Sequence, residues 1–214
     1  QEGVMPRSVP DGSQLWLVRH GETEWSASHR HTGRTDLPLT AAGEAQASAL
    51  RIMLAGIAPV LVVSSPRARA LRTARLAGIA VDRIDPDAAE WDYGDFEGLT
   101  SAQIRQIDPE WSIWRGDTPH GESPDDIGAR ADRVLARVAP RLGDGPIMIF
   151  GHGHMNRALA ARWLGMPISA GGMFALDTAA PCLLGEEHGR PALVHWNIVN
   201  PAASSAPPST GDPH

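Results

Sequence analysis

The chain has 214 residues, of which 42% are apolar and 21% are charged, a composition typical of one globular domain. Its formal net charge of -6 argues against a nucleic-acid partner, and no apolar run reaches the roughly 20 residues of a membrane span. We therefore expect a cytoplasmic protein without a membrane or nucleic-acid partner, in which the single cysteine, Cys182, forms no internal disulfide.

Short unbroken apolar runs predict strands that are covered on both faces of a parallel sheet. These runs occupy residues 15–18, 60–63 and 147–150. Two later runs, at residues 182–186 and 192–196, predict strands that could offer a sheet edge to a second copy in a homodimer.

Helical patterns fall between these strands. Thr40 and Ser123 are typical N-caps, and Thr100 forms a capping box with Gln103. The predicted helices span residues 41–55, 69–76, 100–107, 124–142 and 154–164. This alternation predicts an α/β fold, a three-layer α/β/α sandwich with a mostly parallel central sheet, in which ligands bind beyond the carboxyl ends of the strands.

One domain is expected to span residues 13–200. The segments 1–12 and 201–214 contain little apolar surface to offset the entropy of ordering them, and we predict that they are flexible termini.

Polar residues directly follow each of the three parallel strands. Arg19-His20-Gly21 follows the first strand, residues 64–66 follow the second, and residues 151–154 follow the third. A guanidinium donates paired hydrogen bonds to phosphoryl oxygens, and a glycine lets backbone amides approach an anion. The pattern therefore indicates a phosphate site, although an Arg-His pair alone carries little information.

Four motifs occur in order along the chain: LVRHGETEW at 17–25, SPRARALRTA at 65–74, EWDYGDFEG at 90–98 and GHG at 151–153. Together they resemble the histidine phosphatase superfamily, or phosphoglycerate mutase-like family, and its phosphatase branch in particular. The resemblance implies the phosphoglycerate mutase-like form of the sandwich. It also implies that His20 is the nucleophile and Glu90 the proton donor, while Arg19, Arg69 and His152 hold the phosphate.

These roles fit the chemistry of phosphoryl transfer. A neutral imidazole nitrogen attacks phosphorus, and two arginines with a second, charged histidine at position 152 neutralise the phosphoryl oxygens. No metal or cofactor is required. Gly153 is expected to help bind the phosphate, and Ser26, which stands where many family members have asparagine, is kept as a candidate contact. A metal pair of His152 and His154 is disfavoured because the sequence offers no matching carboxylate or H-E-x-x-H spacing.

The candidate pocket residues are Thr32, Gly33, Trp91, Tyr93, Trp111 and Trp114. Trp111 and Trp114 lie three residues apart on a predicted short helix, where they form either local core or an apolar wall over the substrate mouth. For Asp92, Asp95 and Glu97 we expect the ordinary roles of surface or helix-capping charge.

Three functions share this phosphate site. Mutases of the family have a longer, basic insertion after the acid Glu, whereas residues 90–124 here contain only Arg105 and Arg115 as basic residues and the chain has no lysine. A non-catalytic phosphate-binding module would not need both His20 and Glu90. The sequence thus favours a phosphatase of small phosphorylated metabolites, inhibited by phosphate or vanadate, and leaves mutase-type transfer and pure binding as alternatives.

Overall fold

A mixed sheet of six strands lies at the centre of the computed structural model, which describes residues 8–199. The strands are β1 (Leu15–Arg19), β2 (Leu61–Ser64), β3 (Arg83–Ile84), β4 (Ile147–Gly151), β5 (Pro181–Glu187) and β6 (Arg190–His195). Their order across the sheet is β3-β2-β4-β1-β5-β6. The first four run parallel, and β5 pairs antiparallel with β1 and β6. The predicted, mostly parallel sheet is confirmed.

The three predicted parallel strands each run one residue beyond their apolar pattern, to Arg19, Ser64 and Gly151. These residues are polar or lack a side chain, so hydropathy alone could not include them. All five residues of β4 are buried, because β4 lies between β2 and β1 and is covered on both faces. The predicted late strands form the β5–β6 hairpin, which leaves β6 at the sheet edge.

The helices are α1 (Glu24–Ala27), α2 (Ala41–Met53), α3 (Ala68–Leu76), α4 (Ser101–Ile104), α5 (Pro124–Val138) and α6 (Gly153–Trp163). The predicted caps Thr40, Thr100 and Ser123 each accept a hydrogen bond from the backbone of the helix that they begin. Helix α5 ends before its predicted limit because Pro140 cannot donate an i to i-4 hydrogen bond, and a 3-10 turn at Ala139–Arg141 follows.

Two apolar clusters cover opposite faces of the sheet and confirm the three layers. Alternate residues of β4 divide between the clusters: Ile147 and Ile149 join one, and Met148 and Phe150 join the other. The first cluster contains the apolar sides of α5 and α6, and the second contains those of α2 and α3. None of the helices within residues 8–199 is long and apolar enough to cross a membrane.

Three local predictions differ from the structure. Helix α4 ends at Ile104, short of its predicted limit, and turns lead on to Pro109. Trp111 and Trp114 lie on an irregular segment with a turn, and no helix forms there. Part of the predicted flexible segment 1–12 is ordered, because Val9 is 4% exposed and its amide donates to the carbonyl of Gly189. The segments 1–7 and 201–214 lie outside the described residues.

Candidate active site

The register between β1 and β4 places the two motif histidines side by side. Arg19 is the direct partner of Gly151 in this register, so His20 and His152 leave the sheet at the same edge. Their ring centroids lie 5.2 Å apart. Strand β2 ends beside β4, and Ser65 Oγ lies 2.6 Å from His152 Nε2. The three polar segments that were predicted to meet at this edge therefore do meet.

His20 is 5% exposed, and its Nδ1 lies 2.7 Å from the carbonyl oxygen of Gly21. Burial lowers the pKa of His20 well below the usual histidine value, and the charges of Arg69 and Arg19 lower it further. The ring is therefore neutral at pH 7. Because a carbonyl oxygen can only accept, Nδ1 carries the proton and Nε2 keeps its lone pair.

His152 is fully buried beside His20. Burial lowers the pKa of His152 well below the usual value, and the charge of Arg69 is the second cause. Arg67, Arg19 and a protonated His20 would also oppose a positive charge on this ring. The surrounding protein groups therefore favour a neutral ring at neutral pH. The predicted charge concerned the ring beside a bound phosphoryl group and stays a prediction.

Arg69 lies in the first turn of α3 and is fully buried. Its Nη1 donates to the carbonyl of Thr35 at 2.8 Å, and its Nη2 donates to those of Thr32 at 2.9 Å and Gly33 at 3.3 Å. Thr32 and Gly33, which were predicted to line the substrate pocket, thus use their main-chain carbonyls to fix the guanidinium.

Glu97 holds this same segment in place. Its carboxylate accepts hydrogen bonds from the amide of Gly33 at 3.0 Å and from that of Thr35 at 2.9 Å. A Cβ at position 33 would lie 2.3 Å from the carbonyl oxygen of Trp91, so only glycine fits there. Glu97 therefore supports the loop under Arg69, and the prediction of a surface or capping charge is wrong.

Arg19 ends β1, and its Nη1 donates to the carbonyl of Leu176. A Cβ on Gly153 would lie 3.4 Å from Cζ and from Nε of Arg19. Gly153, a predicted phosphate-binding residue, therefore lies directly beside this guanidinium at the start of α6, and its contact with phosphate stays a prediction.

Gly21 serves a different purpose from the one predicted. Its amide donates to Thr73 Oγ1 at 3.0 Å, so this amide is already engaged within the protein. A Cβ at position 21 would lie 2.4 Å from the carbonyl oxygen of Gly43, which shows that the main chain approaches the start of α2 too closely for a side chain. The glycine thus lets the chain after β1 pack closely against the start of α2, and its amide is used within the protein rather than for binding an anion.

Glu90 is 8% exposed, and three backbone amides hold its carboxylate. The amide of Trp91 donates at 3.0 Å, and those of His154 and Met155, in the first turn of α6, donate at 3.0 and 2.9 Å. A helix N-terminus favours a negative group in this position. Burial lowers the pKa of Arg19 and of Arg69, and the negative charge of Glu90 opposes this shift in both, so the carboxylate acts on both site arginines.

Several buried polar atoms near this edge have no hydrogen-bond partner among residues 8–199. They are Arg19 Nε, Arg69 Nε, Arg67 Nε, His152 Nδ1 and the side-chain amide of Asn156. Leaving a buried donor unpaired costs about 1–3 kcal/mol, and more than about nine in ten buried polar groups are paired in known proteins. The guanidinium donors of Arg19 and Arg69, and His152 Nδ1 when it carries the ring proton, are suited to an anion with several acceptor oxygens.

Ser26 does not reach out to this edge. Its hydroxyl accepts from the amide of Thr23 at 2.8 Å and donates to the Thr23 carbonyl at 3.0 Å, which completes the capping box of α1. The side chain is thus used inside its own helix, and the geometry gives no support to a phosphate contact from this residue.

The four aromatic pocket candidates are all buried, with Trp91 0%, Tyr93 1%, Trp111 4% and Trp114 7% exposed. The ring of Trp91 packs edge-on against that of Trp114 at 5.6 Å, and Tyr93 Oη lies 2.6 Å from Nδ1 of His154. For Trp111 and Trp114, burial fits the role of local core. Burial does not exclude contact with the substrate, since the two motif histidines are equally buried, and the place of the four rings in the pocket stays a prediction.

Within the described part of the chain, no three His, Cys, Asp or Glu side chains form a cluster that could hold a metal ion. Of the histidines weighed as a metal pair, His152 bonds Ser65 through Nε2, and His154 bonds the hydroxyl of Tyr93 through Nδ1. Each ring thus has a protein partner of its own.

Sequence reasoning missed two residues of this site. Ser65 directly follows β2, and this strand-end position was the signal that could have identified it. Glu97 contacts a segment more than 60 residues away, since its partner Gly33 is 64 positions distant, and no local pattern could have indicated that contact.

The comparisons with known proteins agree with this geometry. The sequence model of the histidine phosphatase superfamily (branch 1) matches residues 15–199. An acid phosphatase of Mycobacterium tuberculosis is 41% identical over 178 residues, which cover 82% of this chain and 88% of that protein. The solved structure of a Mycobacterium tuberculosis open reading frame product matches with a TM-score of 0.85 at 39% identity, covering 87% of this chain and 98% of that one.

A mycobacterial glucosyl-3-phosphoglycerate phosphatase, solved in complex with VO3, matches with a TM-score of 0.77 at 31% identity and covers 88% of this chain and 100% of that one. The family match spans the whole site, from Arg19 to His152. The chain therefore belongs to the histidine phosphatase superfamily and is a phosphomonoester hydrolase of that family.

Proposed function

We propose that the protein hydrolyses small phosphorylated metabolites through a phosphohistidine intermediate on His20, with Glu90 as general acid and base. The observation that carries this proposal is the set of three unpaired buried donors, on Arg19, Arg69 and His152, beside a neutral histidine whose Nε2 keeps its lone pair. Together they supply a nucleophile and the partners for a phosphoryl group.

In the first half-reaction, Nε2 of His20 attacks phosphorus and the ester bond to the leaving oxygen breaks. This step requires Glu90 in its acid form, which the negative charge of a bound phosphoryl group favours and the three amide donors oppose. Its proton goes to the leaving alkoxide, so that a neutral alcohol departs. The hydrogen bond from Nδ1 to the carbonyl of Gly21 orients the ring and shares the positive charge that forms on it.

Arg19, Arg69 and His152 then stabilise the charge on the phosphoryl oxygens. Their donors are fixed before the reaction, because carbonyls hold both guanidinium groups and Ser65 holds the ring of His152. A donor positioned in this way contributes about 3 to 4 kcal/mol to lowering the barrier, since no reorganisation is needed during the reaction.

In the second half-reaction, water attacks the phosphoryl group on His20. The Glu90 carboxylate takes a proton from this water, the bond from nitrogen to phosphorus breaks, and inorganic phosphate leaves. His20 is again neutral and Glu90 again carries the proton, so the cycle closes with one ester and one water consumed.

Hydrolysis rather than mutase-type transfer is supported by the segment 90–124. The segment contains two arginines: Arg115 is exposed, and Arg105 Nε donates to the carbonyl of Trp111 within the same segment at 3.5 Å. Most apolar residues of the segment pack into the core, with Ile107, which is 69% exposed, as an exception. A phosphorylated acid would therefore find few cations here to hold it for return transfer.

The related proteins support a small phosphorylated metabolite as the substrate. One is an acid phosphatase, and another is a glucosyl-3-phosphoglycerate phosphatase. Since the latter was solved in complex with VO3, we expect vanadate, and by the same chemistry phosphate, to bind and inhibit this protein.

Release of nitrophenol from p-nitrophenyl phosphate tests the proposal. We expect activity in the wild type, a loss of at least about 10³-fold in His20→Ala, and a loss of about 10²- to 10⁴-fold in Glu90→Gln. His120→Ala is the matched control, because this histidine is 84% exposed and pairs with Asp95 at the surface. Vanadate should inhibit the wild type.

A rapid acid-free quench with labelled substrate should trap label on the wild type and none on His20→Ala. The intermediate is a phosphoramidate, so the label should survive base and be lost in acid. No nitrophenol from the wild type between pH 4 and pH 8, or label that persists on His20→Ala, would contradict the mechanism.

A further inference from the structure

The ring of His152 has one nitrogen with a partner and one without. Its Nε2 lies 2.6 Å from Ser65 Oγ, whereas Nδ1 has no hydrogen-bond partner in the described part of the chain. Both residues are fully buried. The nitrogen that carries the ring proton therefore decides whether Nδ1 of His152 donates or accepts a hydrogen bond at the site.

A neutral imidazole carries one proton, so one nitrogen donates and the other accepts. Arg69, His20, Arg67 and Arg19 all oppose a positive charge on His152, and together with burial they keep its pKa well below the usual value. If Nδ1 carries the proton, the ring donates to a phosphoryl oxygen. If Nε2 carries it, Nδ1 faces that oxygen with a lone pair and repels it.

The hydrogen bonds of Ser65 decide between these two forms. Its Oγ already accepts a hydrogen bond from the amide of Arg67 at 3.2 Å. Its own proton needs an acceptor, and His152 Nε2 is positioned to accept it. With the proton on Nε2 instead, Oγ would accept two N–H groups and the buried hydroxyl proton would have no described partner.

We propose that Ser65 is a positioning residue that holds His152 in the Nδ1–H tautomer, so that the neutral ring donates to a phosphoryl oxygen. This inference rests on the proposed function, because a donor at Nδ1 is useful only when a phosphoryl group binds between the arginines and His20. The two histidines then share one tautomer but use it oppositely. His20 directs its proton to its own backbone, and His152 directs its proton to the substrate.

The tautomer can be measured directly in the wild type. Long-range ¹H–¹⁵N correlation spectra of the imidazole rings at pH 7, assigned with His152→Ala, should show His152 with a protonated Nδ1 and an unprotonated Nε2. A spectrum with the proton on Nε2 would overturn the proposal. This measurement needs neither catalytic activity nor a folded Ser65 variant.

Kinetics then test whether Ser65 acts through His152. In Ser65→Ala we expect kcat for p-nitrophenyl phosphate to fall about 10- to 100-fold and vanadate to bind more weakly, as is typical when the partner of a functional histidine is removed. In a His152→Ala background, Ser65→Ala should have no further effect on kcat.

Ser64→Ala is the matched control. Ser64 is the preceding, equally buried residue, and its hydroxyl donates to the carbonyl of Ser65 at 2.9 Å without contacting His152. It should keep kcat within about twofold of the wild type, as expected for a residue outside the site.

The outcomes separate this inference from the proposed function. A wild type that does not hydrolyse p-nitrophenyl phosphate contradicts the proposed function, while the ring spectrum still decides the tautomer. A wild type that hydrolyses it, together with a folded Ser65→Ala that keeps its rate, overturns the inference alone. An equal loss in Ser64→Ala, or a further loss from Ser65→Ala in the His152→Ala background, also overturns it, since the effect would then come from packing.

Discussion

Two groups of arginines in this protein are held in opposite ways. At the site, Arg19 and Arg69 are bound by main-chain carbonyls, and each keeps a buried Nε without a described partner. On α5, Arg130 makes five hydrogen bonds, two to the carboxylate of Glu122 and three to main-chain carbonyls. The hydrogen bonding of the site arginines is thus incomplete within the described residues, whereas that of Arg130 is complete.

The acceptors explain the difference. Carbonyls fix a guanidinium without cancelling its charge, so the site arginines stay cationic and can attract an anion. Two carboxylates act on Arg69 without using its unpaired Nε: Glu90, which exerts the larger influence on its charge, and Asp36, which lies 3.7 Å from Nη1 and is 39% exposed. Carboxylates neutralise the arginines of α5, and in Arg130 three main-chain carbonyls accept the remaining hydrogen bonds. We therefore expect substitutions in the first group to reduce rate and those in the second to reduce stability.

Arg69→Ala should have the largest effect. It removes a donor to the phosphoryl group and also releases the carbonyls of segment 32–35, so kcat/KM should fall at least about 10²- to 10³-fold, equivalent to about 3 to 4 kcal/mol of barrier. The measurement is steady-state hydrolysis of p-nitrophenyl phosphate at pH 7, with the folded fraction checked by thermal denaturation.

Arg72→Ala is the control for this substitution, because Arg72 lies on the same helix and forms a surface ion pair with Glu44 in which both side chains are more than 40% exposed. Its free energy of unfolding should change by less than about 1 kcal/mol and its rate should not change. Equal losses of rate in the two variants would show that general positive charge on α3, rather than the unpaired donor of Arg69, supports activity.

Arg130→Ala should mainly reduce stability. Its side chain is 12% exposed and that of Glu122 is 21% exposed, so removing the arginine leaves a partly buried carboxylate and three carbonyls without their donor. We expect a loss of about 3 kcal/mol in the free energy of unfolding, measured with urea. Because Arg130 also holds the carbonyl of Glu90, a severalfold fall in kcat should accompany this loss.

Arg162→Ala separates these two effects. Arg162 pairs with Asp132 at similar burial, 16% and 15% exposed, and has no described contact with Glu90. It should lose stability without losing kcat in the folded enzyme. If Arg130→Ala keeps the stability of the wild type, the complete hydrogen bonding of this arginine does not stabilise the fold.

Local chemistry explains which features the sequence could predict. The buried strands β1, β2 and β4 are continuous apolar runs, and Thr40, Thr100 and Ser123 are caps whose partners lie three residues away. His20 and His152 were predictable as neighbours because parallel strands end at a common edge. In each case the residues that carry the pattern lie close in sequence to the residues they contact, or the parallel order of the strands brings them together.

The features that the sequence did not predict depend on contacts distant along the chain. In the sequence, Glu97 looks like a surface charge, but the fold brings its carboxylate to the backbone amide of Gly33. Gly21 looks like part of a phosphate-binding loop, but the fold packs its main chain against the carbonyl of Gly43. The low pKa of His152 was not foreseen, because burial and the neighbouring arginines together lower it. Tertiary packing, rather than any local pattern, determines all three.

The smallest of the predicted effects concerns the pH dependence of stability in the arginine group of α5. Asp87 accepts hydrogen bonds from Arg133 and Arg137, and they lower its pKa from 3.8 to about 2, with Arg133 as the largest cause. Since the pKa is lower in the folded protein than in the unfolded chain, the stabilisation is complete above about pH 4 and is lost as the pH falls toward 2. The shift in pKa corresponds to roughly 2 kcal/mol. Because Arg133 and Arg137 are 51% and 39% exposed, solvent screening lowers the expected stabilisation to about 1 kcal/mol.

Asp87→Asn removes this titration. Urea unfolding of the wild type and the variant at several pH values from 6 to 2.5 should therefore show a difference in free energy that is constant above about pH 4 and shrinks below it. A difference that stays the same down to pH 2.5 would mean that the ion pairs of Asp87 do not stabilise the fold. The contrast with the site has the same physical basis. Arg133 and Arg137 stabilise the protein through a carboxylate that it already contains, whereas the anionic partner of Arg19 and Arg69 is the phosphoryl group of the substrate.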